Sequence, residues 1–355
     1  MPLPFEKIFS SPGAEYRGMP FWSWNGRLEP EKLRRQIREF KAMGLGGFFM
    51  HSRVGLATPY LGKEWFDCVR ASVEEAGRAG LIPCLYDEDR WASGAAGGLV
   101  TRDPACRAWI LYLHAHSGPA HPVSFGFWSA RLDGAVARDL HRGDPEPGET
   151  RFEIFAEEEP CSAWFNGYTY LDVLNPDAVK RFIEVTYERY RRELGADFGR
   201  AVPAIFTDEP HYWRYANLVP LPYPGAADAP WTPRLPELFR ERFGYDLAEH
   251  LPELFCDCPE RAASPARYHY WQLLTELFVN SFTKQLGSWC EKNGIALTGH
   301  LLWEDTPSTQ TRCVGASMRH YPYMQIPGID QLTEYGQLYD ACKQLASAAR
   351  QFDRP

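Results

Sequence analysis

Apolar residues along this chain follow two alternating periods. Short, almost wholly apolar runs give way to stretches in which apolar positions return every three or four residues, and then the short runs resume. These are the signatures of buried strands and amphipathic helices. Residues 18–25 (GMPFWSWN) read as a short aromatic strand. Residues 30–43 place Leu33, Ile37 and Phe40 on one helical face, with Pro30 in the first turn, and the glycines within 44–47 end that helix. A second strand follows at 48–52. A second helix at 64–79 carries Trp65, Cys68, Val69, Val73 and Ala76 on one stripe and is closed by Gly80. A third strand, 81–86, runs straight into Asp87, Glu88 and Asp89.

The pattern then breaks. Residues 107–160 hold three strand-like runs, 109–116, 123–132 and 151–156, linked by turn-rich stretches such as 142–148; they read as a β-rich insertion within one domain spanning 1–355. Asn175-Pro176-Asp177 opens a helix to about 194, and 202–207 form a fourth strand ending in Asp208-Glu209-Pro210. A Pro-rich loop at 218–236, two short helices at 234–243 and 247–254, and a long helix at 265–293 come next. A fifth strand spans 295–302, a short sixth lies near 323–326, and a last helix covers 337–351.

Repeated strand–helix units predict a parallel sheet covered by helices, hence an α/β fold. Polar residues gather at the C-terminal ends of the strands, where barrel enzymes place their chemistry, so a TIM-type (β/α)8 barrel is expected over a doubly wound sheet. No GxGxxG follows the first strand, which argues against dinucleotide binding.

Composition narrows the field. The net charge is -8 with the charges interspersed, so nucleic acid is not expected as a partner. The N-terminus lacks the apolar stretch of a signal peptide and no run approaches ~20 apolar residues, so a cytoplasmic protein with no membrane partner is expected. Nine scattered cysteines read as reduced thiols. Aromatics reach 14 % with 12 Trp, a supply that fits both an aromatic core and flat walls for stacking sugar rings.

The sharpest chemical signal is Ile205-Phe206-Thr207-Asp208-Glu209-Pro210, an apolar strand that delivers two carboxylates to its end. Glycosidic cleavage needs a carboxylic acid for the leaving oxygen and a second carboxylate across the bond. A glutamic acid at a semi-buried strand end keeps its proton near neutral pH because desolvation disfavours the anion. Glu209 is the candidate acid and Asp208 an orienting group, the alternative being an ion pair with an Arg. The rim residues Asn25, His51, Arg53, Tyr86, Asp87, Glu88, His300, Glu304 and Asp330 are candidate hydroxyl contacts, and Trp22, Trp24 and Trp91 candidate stacking walls. Asp87, Glu88 and Asp89 could equally hold Ca²⁺ or pair with Arg90. No HxH or HExxH spacing marks a metal centre, and no metal site is assigned.

In their order and spacing, residues 20–26 (PFWSWNG), 46–53 (GGFFMHSR), Tyr60-Leu61, Glu64-Trp65 and 86–94 (YDEDRWASG) resemble the successive strand ends of one family, the glycoside hydrolases of the α-L-rhamnosidase type, family 106. The resemblance runs from about residue 16 to the C-terminus and is weakest over the insertion. It implies a (β/α)8 barrel within a longer bacterial enzyme carrying β-sandwich domains, hydrolysis of O-glycosidic bonds in oligo- or polysaccharides, and a pair of rim carboxylates. It requires no cofactor and allows a Ca²⁺ near the sugar. Residues 207–210 (TDEP) are also similar to the Asn-Glu-Pro acid of the large retaining-barrel clan, with Asp in place of Asn.

The sequence supplies about six strand–helix units where a closed barrel needs ~8. A seventh strand would carry the partner carboxylate, so the chain reads as a C-terminally truncated fragment whose remaining domains are its missing partners. Two other readings stand beside hydrolysis: a non-catalytic carbohydrate-binding remnant, and a metal-dependent hydrolase built on Asp87, Asp89, Asp208 and His300.

Overall fold

The structure, a computed structural model, describes residues 5–115, 118–213, 226–260, 265–331 and 339–355. Six parallel strands form one sheet in the order β1-β2-β3-β8-β10-β11: β1 (Phe21–Gly26), β2 (Gly47–Leu56), β3 (Ile82–Tyr86), β8 (Ala204–Asp208), β10 (Ala296–His300) and β11 (Ile326–Pro327). Each strand lies next to the one that follows it in this sheet, the arrangement short right-handed crossovers produce. Among the described residues β1 and β11 each pair on one side only, so the sheet is open.

The crossover helices follow the sequence periods. Pro30–Ala42 buries Leu33 and Ile37, and Lys63–Ala79 buries Trp65, Phe66, Val69 and Val73 before ending on Gly80 in the left-handed conformation. The expected helices at 175–194 and 265–293 are each interrupted by one π-helical stretch, Ile183–Tyr187 and Val279–Thr283. The expected helix at 247–254 is instead a 3₁₀ turn, Leu247–His250, and one α-turn, Pro252–Phe255. The last helix is Tyr339–Gln351, and the first two residues expected in it lie outside the described residues.

The second sheet is antiparallel, in the order β6-β5-β7-β4-β9: β4 (Trp109–His114), β5 (Ser124–Asp133), β6 (Val136–His141), β7 (Thr150–Glu158) and β9 (Ala227–Trp231). Two of its strands depart from the sequence expectation. Val136–His141 pairs with β5 across a short turn through Gly134. Ala227–Trp231, within the expected Pro-rich loop, pairs with β4 at the sheet edge, where Pro230 is tolerated. Residues 218–225 of that loop lie outside the described residues.

One hydrophobic cluster runs through both layers, from Trp22, Trp65 and Ile205 to Trp128, Phe152 and Trp231. The nine cysteines form no disulfide. No described helix is long and apolar enough to cross a membrane.

Candidate functional site

Side chains alternate across a strand, so each strand of the parallel sheet offers one set to the helices and the other to the opposite face. On β1 the split is clean: Trp22 and Trp24 are buried while Phe21, Ser23 and Asn25 are exposed. Phe21 packs edge-on against Phe49 of β2 and Phe206 of β8, at ring separations of 5.5 and 4.9 Å. The His51 ring packs tilted against Tyr86 with centroids 3.9 Å apart, and Phe206 lies 5.4 Å from His300. These rings floor a face whose upper rim is polar.

Parallel register brings the strand ends level. His300 sits opposite Asp208, and Tyr86 opposite Phe206. Asp208 is buried and accepts from two sides: the Tyr86 hydroxyl at 2.5 Å on Oδ2, and His300 Nε2 at 3.0 Å on Oδ1. Burial alone would raise the Asp208 carboxyl, but the hydrogen bond and charge of His300, with the Tyr86 hydroxyl, hold it below the usual range. Burial would likewise lower His300, yet Asp208, with smaller help from Asp330 and Glu304, pushes it up to about 9. The pair is therefore an imidazolium–carboxylate contact at neutral pH. Gly299 aims this histidine: its φ is +138°, and a Cβ there would stand 1.9 Å from the Thr207 carbonyl oxygen.

Glu209 follows Asp208 in the left-handed conformation, φ +48°, and is half-buried. That turn rotates its side chain away from the direction the strand would give it. Burial pushes its carboxyl up to about 8, and the charges of Asp208 and Asp330 add to the effect. One ligand atom each of Glu209, His300 and Asp330 lies within 4.8 Å of the other two. Asp330 Oδ2 is 3.8 Å from His300 Nε2, and its backbone N–H donates to Glu304 Oε1 at 2.6 Å. At the mouth, then, a protonated glutamic acid, an aspartate and an imidazolium meet.

The remaining sequence candidates divide. His51 faces this side, is 2 % exposed, and neither ring nitrogen has a hydrogen-bond partner among the described residues. Burial lowers it to about 4, so it is neutral. Arg53, half-buried two residues further along β2, forms no ion pair or hydrogen bond among the described residues. Asn25 is exposed at the end of β1.

Others are committed elsewhere. Trp22 and Trp24 point into the helix layer, where Trp22 packs on Phe40 and Phe48 and donates to Gln36, and Trp24 packs on Trp65. They are core, and the expectation of two stacking walls there is corrected: the strand turns its alternate residues, Phe21 and Ser23, outward. Asp87 accepts from Ser93 Oγ at 2.5 Å and the Tyr187 hydroxyl at 2.7 Å, and burial raises it to about 7. Glu88 accepts backbone N–H groups of Asp89, Gly94, Ala96 and Gly97 at 2.5–2.9 Å, pinning the glycine-rich loop rather than a sugar. Burial raises it to about 8, against the pull of those amides. Trp91 packs edge-on against Trp164 at 5.7 Å. Glu304 is buried behind Asp330, accepts from Tyr321 Oη at 3.1 Å, and is raised to about 7 by burial.

Sequence reasoning missed Ser93, which ties the two strand ends together: its Oγ accepts from the Asp208 N–H at 2.7 Å while donating to Asp87. It also passed over Phe21 and Phe206; alternation along β1 separates Phe21 from Trp22 and Trp24 without telling which set faces the helices.

Asp87 and Asp89 have their oxygens engaged, Asp89 with Ser52, Arg90 and Asn166, so the four-residue metal set read from the sequence is not assembled. Glu209, His300 and Asp330 are the group whose spacing suits a metal ion among the described residues, with one ligand atom of each within 4.8 Å of the other two.

No family model and no curated relative matches this sequence. Solved structures do match. A rhamnosidase from Novosphingobium sp. PP1Y superposes on 98 % of this chain and 52 % of its own, with a TM-score of 0.62 and 14 % sequence identity. The chain spans about half the length of that protein, and at this identity the likeness is one of fold: the α/β scaffold described above is rhamnosidase-like.

Proposed function

We propose that this chain is the catalytic part of a glycoside hydrolase of the α-L-rhamnosidase type, related to family 106, and that its six sequentially ordered parallel strands belong to a (β/α)8 barrel. The observation that carries the reading is Glu209, turned by a left-handed backbone into the polar rim and held protonated up to about pH 8 beside His300 and Asp330. A carboxylic acid that keeps its proton at neutral pH is what protonation of a glycosidic oxygen requires. Asp208 acts through His300, holding it charged and fixed. Arg53, His51, Asn25 and the outer edge of His300 supply donors for sugar hydroxyls.

The test is hydrolysis of an aryl α-L-rhamnoside. Glu209→Gln is expected to lower kcat by roughly 10²–10⁴ with an unchanged thermal midpoint, and wild-type turnover is expected to fall as pH rises through about 8, where Glu209 loses its proton. Undiminished turnover in Glu209→Gln overturns the assignment.

One observation favours a second reading, a sugar-binding module without turnover. Asp330 acts on Glu209 both by its charge and by a side-chain hydrogen bond, and each raises the Glu209 carboxyl. Asp330 therefore suits the task of keeping Glu209 protonated better than that of attacking from the opposite face. Sugar binding with no turnover of any aryl glycoside selects this reading.

A further inference from the structure

Two tryptophans outside the floor just described follow the strand ends that carry Glu209 and His300. Trp213 lies four residues beyond Glu209 and is half-buried. Trp303 lies three beyond His300, is 37 % exposed, and adopts φ +52°, a conformation non-glycine residues rarely hold. Their ring centroids are 5.0 Å apart at an interplanar angle of 53°. The Arg312 guanidinium sits 4.9 Å from the Trp213 ring.

The cluster is fastened to the mouth. The Tyr212 N–H donates to the Cys313 carbonyl at 3.0 Å, and the Tyr212 hydroxyl to the Thr311 carbonyl at 2.5 Å, so the end of the helix Pro307–Cys313 is stitched to the segment leaving Glu209. The Cys313 thiol, pushed up to about 12 mainly by burial, also feels the charge of Glu209. Arg312 is exposed and makes no ion pair or hydrogen bond among the described residues, although the chain carries 46 acidic side chains against 38 basic ones. Stacking a guanidinium on an indole holds its plane and leaves its edge N–H groups pointing outward, a fork matched to a carboxylate.

We propose that Trp213, Trp303 and Arg312 form a subsite beside the scissile bond for a sugar ring bearing a carboxylate, a uronic acid: Trp303 stacks on the ring face and Arg312 pairs with the carboxylate. This rests on the glycosidase reading for its relation to the bond, but its binding chemistry stands apart from turnover.

The experiment measures binding by calorimetry in the Glu209→Gln chain, so that hydrolysis does not intervene. The probes are the trisaccharides of α-1,4-linked D-galacturonate and of β-1,4-linked D-glucuronate, each against its carboxyl-reduced neutral counterpart, at low and high salt. At least one uronate is expected to bind about tenfold tighter than its neutral twin at low salt, with the preference shrinking as salt rises. Arg312→Gln removes the preference and leaves the neutral sugar's affinity unchanged; Arg312→Lys keeps part of it; Trp303→Ala weakens both sugars. Thermal midpoints within a degree or two of the parent separate these effects from unfolding. Equal binding of both members of each pair, no binding of any probe, or an undiminished preference in Arg312→Gln overturns the proposal. Loss of aryl-glycoside turnover is read separately in the wild-type chain and concerns only the assignment of Glu209.

Discussion

Asp208→Asn keeps the shape of the strand end and removes its charge. In the wild-type chain Asp208 accepts from Tyr86 and His300, and His300 is raised from an ordinary 6.5 to about 9 although its side chain is 9 % exposed. That is roughly a 300-fold gain in proton affinity, about 3 kcal/mol, largely unscreened because both partners are buried. The folded chain binds this proton more tightly than the unfolded chain does. The stabilisation is therefore complete below the unfolded value of 6.5 and lost as pH rises through about 9. Asp208, depressed, contributes in the opposite sense: its share is present above about 3.8 and lost as pH falls. Urea unfolding of Asp208→Asn should show a deficit near pH 6 that is about 3 kcal/mol larger than the deficit at about pH 10, where the His300 contribution is gone and only the loss of the Tyr86 contact remains. A proton-NMR titration should find the His300 ring midpoint well below 9. A deficit of the same size at both pH values, or a His300 midpoint unmoved, would refute the reasoning.

Two other substitutions test the placement of the aromatic and glycine residues. Trp24→Ala should destabilise the chain by about 3–5 kcal/mol in denaturant unfolding, because the ring is 1 % exposed against Trp65, while leaving the affinity of the folded fraction for a sugar unchanged. Gly299→Ala should cost more than about 3 kcal/mol, since its Cβ meets the Thr207 carbonyl at 1.9 Å, and should blur the ring resonances of His300 even in the fraction that folds.

Strand ends were the most legible part of this sequence. An apolar run that stops on Asp208-Glu209-Pro210 or on His300 places those groups on a rim with no knowledge of packing, because the run's own burial fixes where it ends. Which face a rim residue serves was harder to read. Trp22 and Trp24 alternate with Phe21 and Ser23, and nothing local says which set meets the helices, since tryptophan suits either. Asp87, Glu88 and Asp89 are neighbours in sequence, but the chain leaves the strand there and each finds a different partner, Tyr187, the amides of 94–97, and Ser52. The pairing of β9 with β4 joins residues more than a hundred positions apart, and no short-range pattern encodes it.

Glu209 and Trp303 both hold backbone angles that an L-residue adopts at a cost of about 1–2 kcal/mol, and that glycine or asparagine accepts with little penalty. Replacement by glycine at either position should make the chain harder to melt. A library sorted for heat resistance alone would drift toward exactly those replacements, converging on a sturdier molecule with its acid and its outermost indole erased. Engineering of this scaffold therefore has to select for ligand capture and thermal endurance in the same round.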